Sequence, residues 1–151
     1  MAQSSSVRIG WIVMLILGIL LGTMGLMVVF ATEAMFLLPD FEAFTAKNWS
    51  DFLADYPKAG ELFIIVARLL GAVLLMAALF IILVAWKSYR KAQKWSWYTL
   101  LITGILGWGG GLASDIAIGR AEAIVFPIIG IVLLVIGLAV PAKAILSNKS
   151  T

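Results

Sequence analysis

Four stretches of this chain are apolar on every face for about twenty residues or more, and that length leaves few ways to fold. They cover residues 9–31, 62–86, 95–118 and 123–145. A helix rises about 1.5 Å per residue, so about 20 apolar residues cross the roughly 30 Å hydrocarbon core of a bilayer. Lipid offers no water to satisfy backbone N–H and C=O groups, and a helix satisfies them within one segment. The predicted fold is therefore all-α: a four-helix transmembrane bundle, with residues 1–151 forming a single transmembrane domain. The first outer loop, residues 33–61, is expected to add a short interfacial helix.

Composition agrees with lipid as the solvent. Of 151 residues, 63% are hydrophobic and 13% charged, against about 45–50% and 25% in soluble domains. A soluble fold this small leaves too much surface exposed to hide so many apolar side chains. The first stretch also invites comparison with a secretory leader, with Arg8 before it and Thr32-Glu33-Ala34 after it. Its apolar run exceeds the roughly 7–15 residues of a leader core, so an uncleaved anchor is expected.

Cysteine and histidine are both absent. That removes disulfides, thiolate nucleophiles, imidazole bases and histidine-ligated metals or haem. A metal site would need all-oxygen ligands from the eight Asp and Glu residues. No phosphate-binding loop, dinucleotide fingerprint, nucleophile elbow or zinc-protease helix is present. The expectation is a non-enzyme without cofactor or metal. The net charge of +3 points to membrane orientation rather than nucleic acid, because the cations flank apolar spans.

Short loops rich in Lys and Arg stay in the cytoplasm. The connection 87–94 holds Lys87, Arg90, Lys91 and Lys94 with no carboxylate, whereas 33–61 holds six acidic residues beside Lys47 and Lys58. The first is expected inside and the second outside. Arg8, Lys143 and Lys149 then place both termini in the cytoplasm, in the plasma membrane of a prokaryote. Trp86, Trp95 and Trp97 flank the basic loop as an aromatic belt.

Two features on the outer side depart from plain topology. In the loop, Trp49, Phe52, Leu53 and Tyr56 share one helical face, with Asn48 or Ser50 as cap and Pro57 as stop. Phe36, Phe41 and Phe44 extend the apolar pattern upstream. This face is either an interfacial anchor or a lid and docking surface. Within the spans, Arg68 and Asp115 carry charges, which are costly in lipid and usually paired or functional. Their expected depths differ by about 5 Å at the helical rise, so an Arg68–Asp115 ion pair is predicted. Glu33, Glu61, Arg120 and Glu122 share that layer and would line an outward-facing polar pocket with the pair. No acidic residue stands near mid-membrane, where a proton- or cation-coupled carrier would need one.

Glycines supply the candidate packing surfaces. Gly18, Gly22 and Gly25 lie in the first span; Gly104, Gly107, Gly109, Gly110 and Gly111 lie in the third. The spacings Gly18/Gly22 and Gly107/Gly111 let helix backbones approach closely in lipid. They serve packing within the chain, packing between chains, or a groove for a lipid tail. Pro127, early in span four, removes a donor and either kinks the helix or, in the first turn, is harmless.

Pro39 follows the first span, Ala67-Arg68-Leu69-Leu70-Gly71-Ala72 opens the second, and Gly119-Arg120 closes the third. Over about residues 9–140 this layout resembles that of the small four-helix DoxX-like membrane proteins. The resemblance implies an accessory role, with links to respiratory or redox complexes in some members, and no catalytic residue. The leading expectation is an accessory or assembly subunit of a larger membrane complex, whose partners are lipids, other membrane subunits or further copies of itself. The alternative is a small carrier or lipid-binding protein that uses the pocket around Arg68 and Asp115. Joint substitution Arg68→Gln and Asp115→Asn should abolish ligand binding or transport on that alternative. A loss confined to thermal stability would remove it.

Overall fold

The computed structural model describes residues 4–37, 39–119 and 124–147. The chain is all-α, and no strand occurs among the described residues. Four helical stretches are long and apolar enough to cross a membrane: Ser5–Phe30, Pro57–Lys91, Lys94–Ala117 and Val125–Leu146. This is the predicted set of spans, and it makes the chain an integral membrane protein.

In chain order, α1 is Ser5–Phe30, α2 Thr32–Phe36, α3 Pro39–Thr45, α4 Trp49–Asp55 and α5 Pro57–Lys87. A 3-10 turn over Tyr89–Lys91 leads to α6, Lys94–Gly104. A π-helical turn over Ile105–Gly109 joins α6 to α7, Gly110–Ile118, and α8 is Val125–Leu146. Packing divides the chain into two compact units: Met1–Leu20 with Ala78–Thr151, and Leu21–Ala77.

Three boundaries differ from the sequence expectation. The loop 33–61, expected on the outer side with one short helix, holds three. The second long helix starts at Pro57, five residues before its apolar stretch, and its 31 residues span about 46 Å at the helical rise. That exceeds the hydrocarbon core, so its first turns lie outside the apolar segment: apolarity marks the membrane, not the helix. The third span is not a regular helix. Its π turn coincides with the glycine run, where side chains give the backbone least support.

In the second unit, the end of α1 meets the start of α5 at two glycines. A Cβ on Gly25 would lie 3.1 Å from the Gly71 carbonyl, and a Cβ on Gly71 would lie 3.1 Å from the Gly25 carbonyl. The reciprocity shows two backbones in direct apposition. At the end of α1 the Thr32 hydroxyl donates to the carbonyls of Val28 (2.6 Å) and Val29 (3.1 Å), which the ending helix leaves open.

The short helices enclose an aromatic cluster. Trp49 stacks on Phe36 at 4.4 Å and on Phe52 at 5.9 Å. Phe41 stands nearly perpendicular to these rings, at 5.1 Å from Trp49 and 5.2 Å from Phe52. Phe63, from α5, closes on Phe52 at 5.7 Å. Asn48 caps α4 by accepting from the Asp51 N–H at 2.9 Å, as an N-cap should. Lys47 pairs with Asp55. The hydrogen bond to Asp55 holds the Lys47 ammonium above its ordinary 10.5.

In the first unit, α6 and the π turn pack on α8 through glycines facing large side chains. A Cβ on Gly104 would lie 2.5 Å from Leu134, and one on Gly130 would lie 2.1 Å from the Trp108 ring. The π turn thus seats Trp108 inward on Gly130, 5.4 Å from Phe126. Gly107, Gly109, Gly110 and Gly111 differ: a Cβ on any of them meets nothing within 4 Å.

This contrast gives a paired test. Gly130→Ala should destabilise by about 1–3 kcal/mol, because a rigid indole must move. Gly109→Ala should be neutral or stabilising by up to about 1 kcal/mol, since alanine favours helix and has room. Thermal unfolding in detergent should therefore separate the two variants in opposite directions.

Candidate functional site

The most constrained polar arrangement starts from Pro141, in the interior of α8. Proline has no N–H, so the carbonyl four residues earlier, on Gly137, loses its intrahelical donor. Lipid supplies no replacement. The Tyr89 hydroxyl does, donating to the Gly137 carbonyl at 2.7 Å. One residue on, the Trp97 indole N–H donates to the Leu138 carbonyl at 3.0 Å. Two side chains from the hairpin between α5 and α6 thereby anchor it to the proline turn of α8.

The proline ring also fixes its neighbour. A Cβ on Gly10 would lie 2.5 Å from the Pro141 ring and 3.0 Å from the Gly137 carbonyl. A glycine in α1 is therefore what lets that helix close on the proline turn. Gly137 in turn faces Met14, whose methyl would lie 2.8 Å from an added Cβ. Tyr89, Met14 and Pro141 are all fully buried.

The hairpin is rigid by its own bonds. The Lys91 N–H donates to the Ser88 carbonyl at 3.0 Å, and the Ala92 N–H to the Tyr89 carbonyl at 2.9 Å. Ala92 adopts the left-handed conformation at φ 55°, which costs a non-glycine residue about 1–2 kcal/mol. Buried Ser96 donates its hydroxyl to the Gln93 carbonyl at 2.6 Å, and the Trp95 indole donates to the Gln93 side chain at 2.9 Å. These bonds hold the strained residue in place.

Cations surround this frame. Lys87, Arg90, Lys91 and Lys94 lie on the hairpin, Lys143 in the last turn of α8, and Arg8 in the first turn of α1. Arg90 lies over the Trp86 ring at 4.6 Å, a cation–π contact. Trp86 meets Trp11 edge to face at 5.9 Å, which joins the start of α1 to the end of α5. Among the described residues of the first unit, Asp115 is the one carboxylate side chain.

The residues singled out by sequence distribute as follows. Arg68 is exposed on α5 in the second unit, and Asp115 is half-buried on α7 in the first. Glu33 lies in the first turn of α2, where a carboxylate suits the positive end of a helix. Glu61 pairs with Lys58 at 3.0 Å. Arg120 and Glu122 lie outside the described residues. The second unit does carry an open polar groove, but Glu42, Lys47, Asn48, Asp51 and Asp55 line it. None of these is among the pocket residues expected from the sequence. No cluster of potential metal ligands occurs among the described residues.

Of the aromatic face in the loop 33–61, Trp49 is buried and Phe52 is half-buried in the cluster. Leu53 packs on Gly60, where an added Cβ would lie 2.1 Å away. Tyr56 remains about half exposed. Gly18 packs on Ile82, with an added Cβ 2.7 Å away, and Gly22 is half-buried. Gly107 and Gly111 face open space instead. Pro127 sits in the first turn of α8, where its missing N–H has no acceptor to lose.

No local pattern in the sequence links Tyr89 to Pro141, and Trp97 reads there as a belt residue. The available signal was a proline in mid-span, which demands a donor from elsewhere. Compared with known families, curated proteins and solved structures, the chain matches none.

The proline network is testable as a cycle. Tyr89→Phe leaves the Gly137 carbonyl without a donor and should cost about 1–3 kcal/mol. In a Pro141→Ala background the restored N–H serves that carbonyl, so the same change should cost much less. Additive effects in thermal unfolding would show that the two residues do not share the carbonyl.

Proposed function

We propose that this integral membrane protein is a non-enzymatic accessory or assembly subunit that works by docking another transmembrane helix. The observation that carries the reading is the open glycine surface of the third span. Gly107, Gly109, Gly110 and Gly111 are exposed with nothing within 4 Å of an added Cβ, while Trp108 between them is turned inward. Small residues facing outward let a second helix approach to backbone distance, which is the main source of helix association in lipid. Gly10, Gly18, Gly25, Gly71, Gly104, Gly130 and Gly137 instead face their own chain.

The absence of cysteine and histidine and the resemblance to DoxX-like proteins support an accessory role. The basic end formed by Arg8, Lys87, Arg90, Lys91, Lys94 and Lys143 supports an orientation with both termini in the cytoplasm.

Purification in mild detergent should yield a particle heavier than one 16.3 kDa chain plus detergent, as a self-associated form or with another membrane subunit. Gly107→Leu with Gly111→Leu should return it to a single chain while leaving thermal unfolding nearly unchanged. A wild-type particle that is strictly monomeric and free of other chains would count decisively against the proposal.

A further inference from the structure

Among the described residues of the first unit, the one carboxylate side chain, Asp115, lies near the end of the third span opposite to the end where cations gather. Arg8, Lys87, Lys91, Lys94 and Lys143 come from four segments: the start of α1, the end of α5 with its hairpin, the start of α6 and the end of α8. The contacts of Gly10 with Pro141, Trp11 with Trp86, and Tyr89 with Gly137 bring those segments to one end. Two of the cations oppose their own helices. Arg8 and Lys94 occupy first turns, where the helix dipole is positive and favours anions. Intrahelical electrostatics therefore does not explain them.

The surroundings bear on what these cations meet. Trp86, Trp95 and Tyr98 are about half exposed beside the cations, and such rings settle at the level of lipid headgroups. The lysines thus stand where lipid phosphates lie, on a hairpin whose backbone is fixed by the proline network. A rigid basic turn loses little entropy when an anion binds, unlike lysines on a mobile loop.

We propose that this end of the first unit binds the phosphate headgroups of anionic lipids, with Lys87, Lys91, Lys94, Lys143 and Arg8 as the charged contacts. The site requires a membrane-spanning chain but not the partner-docking reading, and it works on whichever side of the membrane this end faces. Basic clusters next to a membrane helix draw on just this attraction, worth about a fivefold change in affinity per residue.

The test uses the full-length chain in mild detergent, titrated with phosphatidylglycerol or phosphatidylcholine and read by native mass spectrometry. Phosphatidylglycerol adducts should form at about tenfold or more lower lipid concentration than phosphatidylcholine adducts, and added salt should narrow the gap. Lys91→Gln with Lys94→Gln should remove most of the preference, and Lys47→Gln with Lys58→Gln in the other unit should leave it intact. Equal adducts of both lipids on the wild-type protein would overturn the proposal without any variant. A preference that survives the Lys91 and Lys94 changes, or falls with Lys47 and Lys58, would overturn it equally.

Discussion

A proline inside a membrane helix creates a debt that lipid cannot settle: one carbonyl has lost its donor and no water replaces it. In α8 that carbonyl belongs to Gly137, and its donor comes from Tyr89, a residue 48 positions away in sequence. The bond therefore does more than satisfy one atom. It fixes the hairpin between α5 and α6 against α8, and Trp97 repeats the attachment at Leu138. The proline ring demands a neighbour without a side chain, and Gly10 supplies it from α1. Three elements of the first unit thus meet at a single backbone defect, and the position of the basic hairpin follows from it.

The glycines follow the same logic of backbone approach, but not uniformly. Gly25 and Gly71 face each other's carbonyls, so α1 and α5 touch where both lack side chains. Gly104 and Gly130 instead receive large side chains, Leu134 and Trp108, from across the α6–α8 contact. The run from Gly107 to Gly111 does neither, and it coincides with the departure from regular helix. A regular α-helix would turn Trp108 and its glycine neighbours through a fixed angle per residue. The wider π turn alters that phase, so the indole reaches Gly130 while the glycines face outward.

The spans were legible because lipid imposes a length and a composition that few other constraints mimic. The Asn48 cap and the helical face from Trp49 to Tyr56 were legible because both rest on neighbours three or four residues apart. The start of α5 at Pro57 was not, since helix and apolar segment part company once the helix leaves the hydrocarbon core. The splitting of the first loop into α2, α3 and α4 depended on rings meeting across the loop, which no local period records. The Pro141–Tyr89 bond was hidden for the same reason: the proline announces a missing donor, but only packing selects which residue provides it. Arg68 and Asp115, the charges most visible in the sequence, fall in different units, each with its own packing.

In a membrane the hydrophobic effect does not decide which faces meet, because lipid tails are as apolar as leucine. Phe30 is 82% exposed and Leu106 71% exposed, exposures that would be liabilities in water and are ordinary against acyl chains. What distinguishes one region from another is close packing and satisfied polar groups. The largest fully buried side chains are Tyr89, Met14, Leu17, Leu100, Ile145, Pro141 and Ser96, and all belong to the first unit. Tyr89, Pro141 and Ser96 are members of the proline network or its hairpin. The basic surface therefore rests on the side chains that are buried most completely, and its lysines extend from that frame. The aromatics and carboxylates of the first loop stand out in the sequence, yet most of its rings are engaged with one another and Lys47 and Lys58 pair with Asp55 and Glu61. Cations gathered on a rigid base are a better sign of a binding surface than charges that are merely conspicuous.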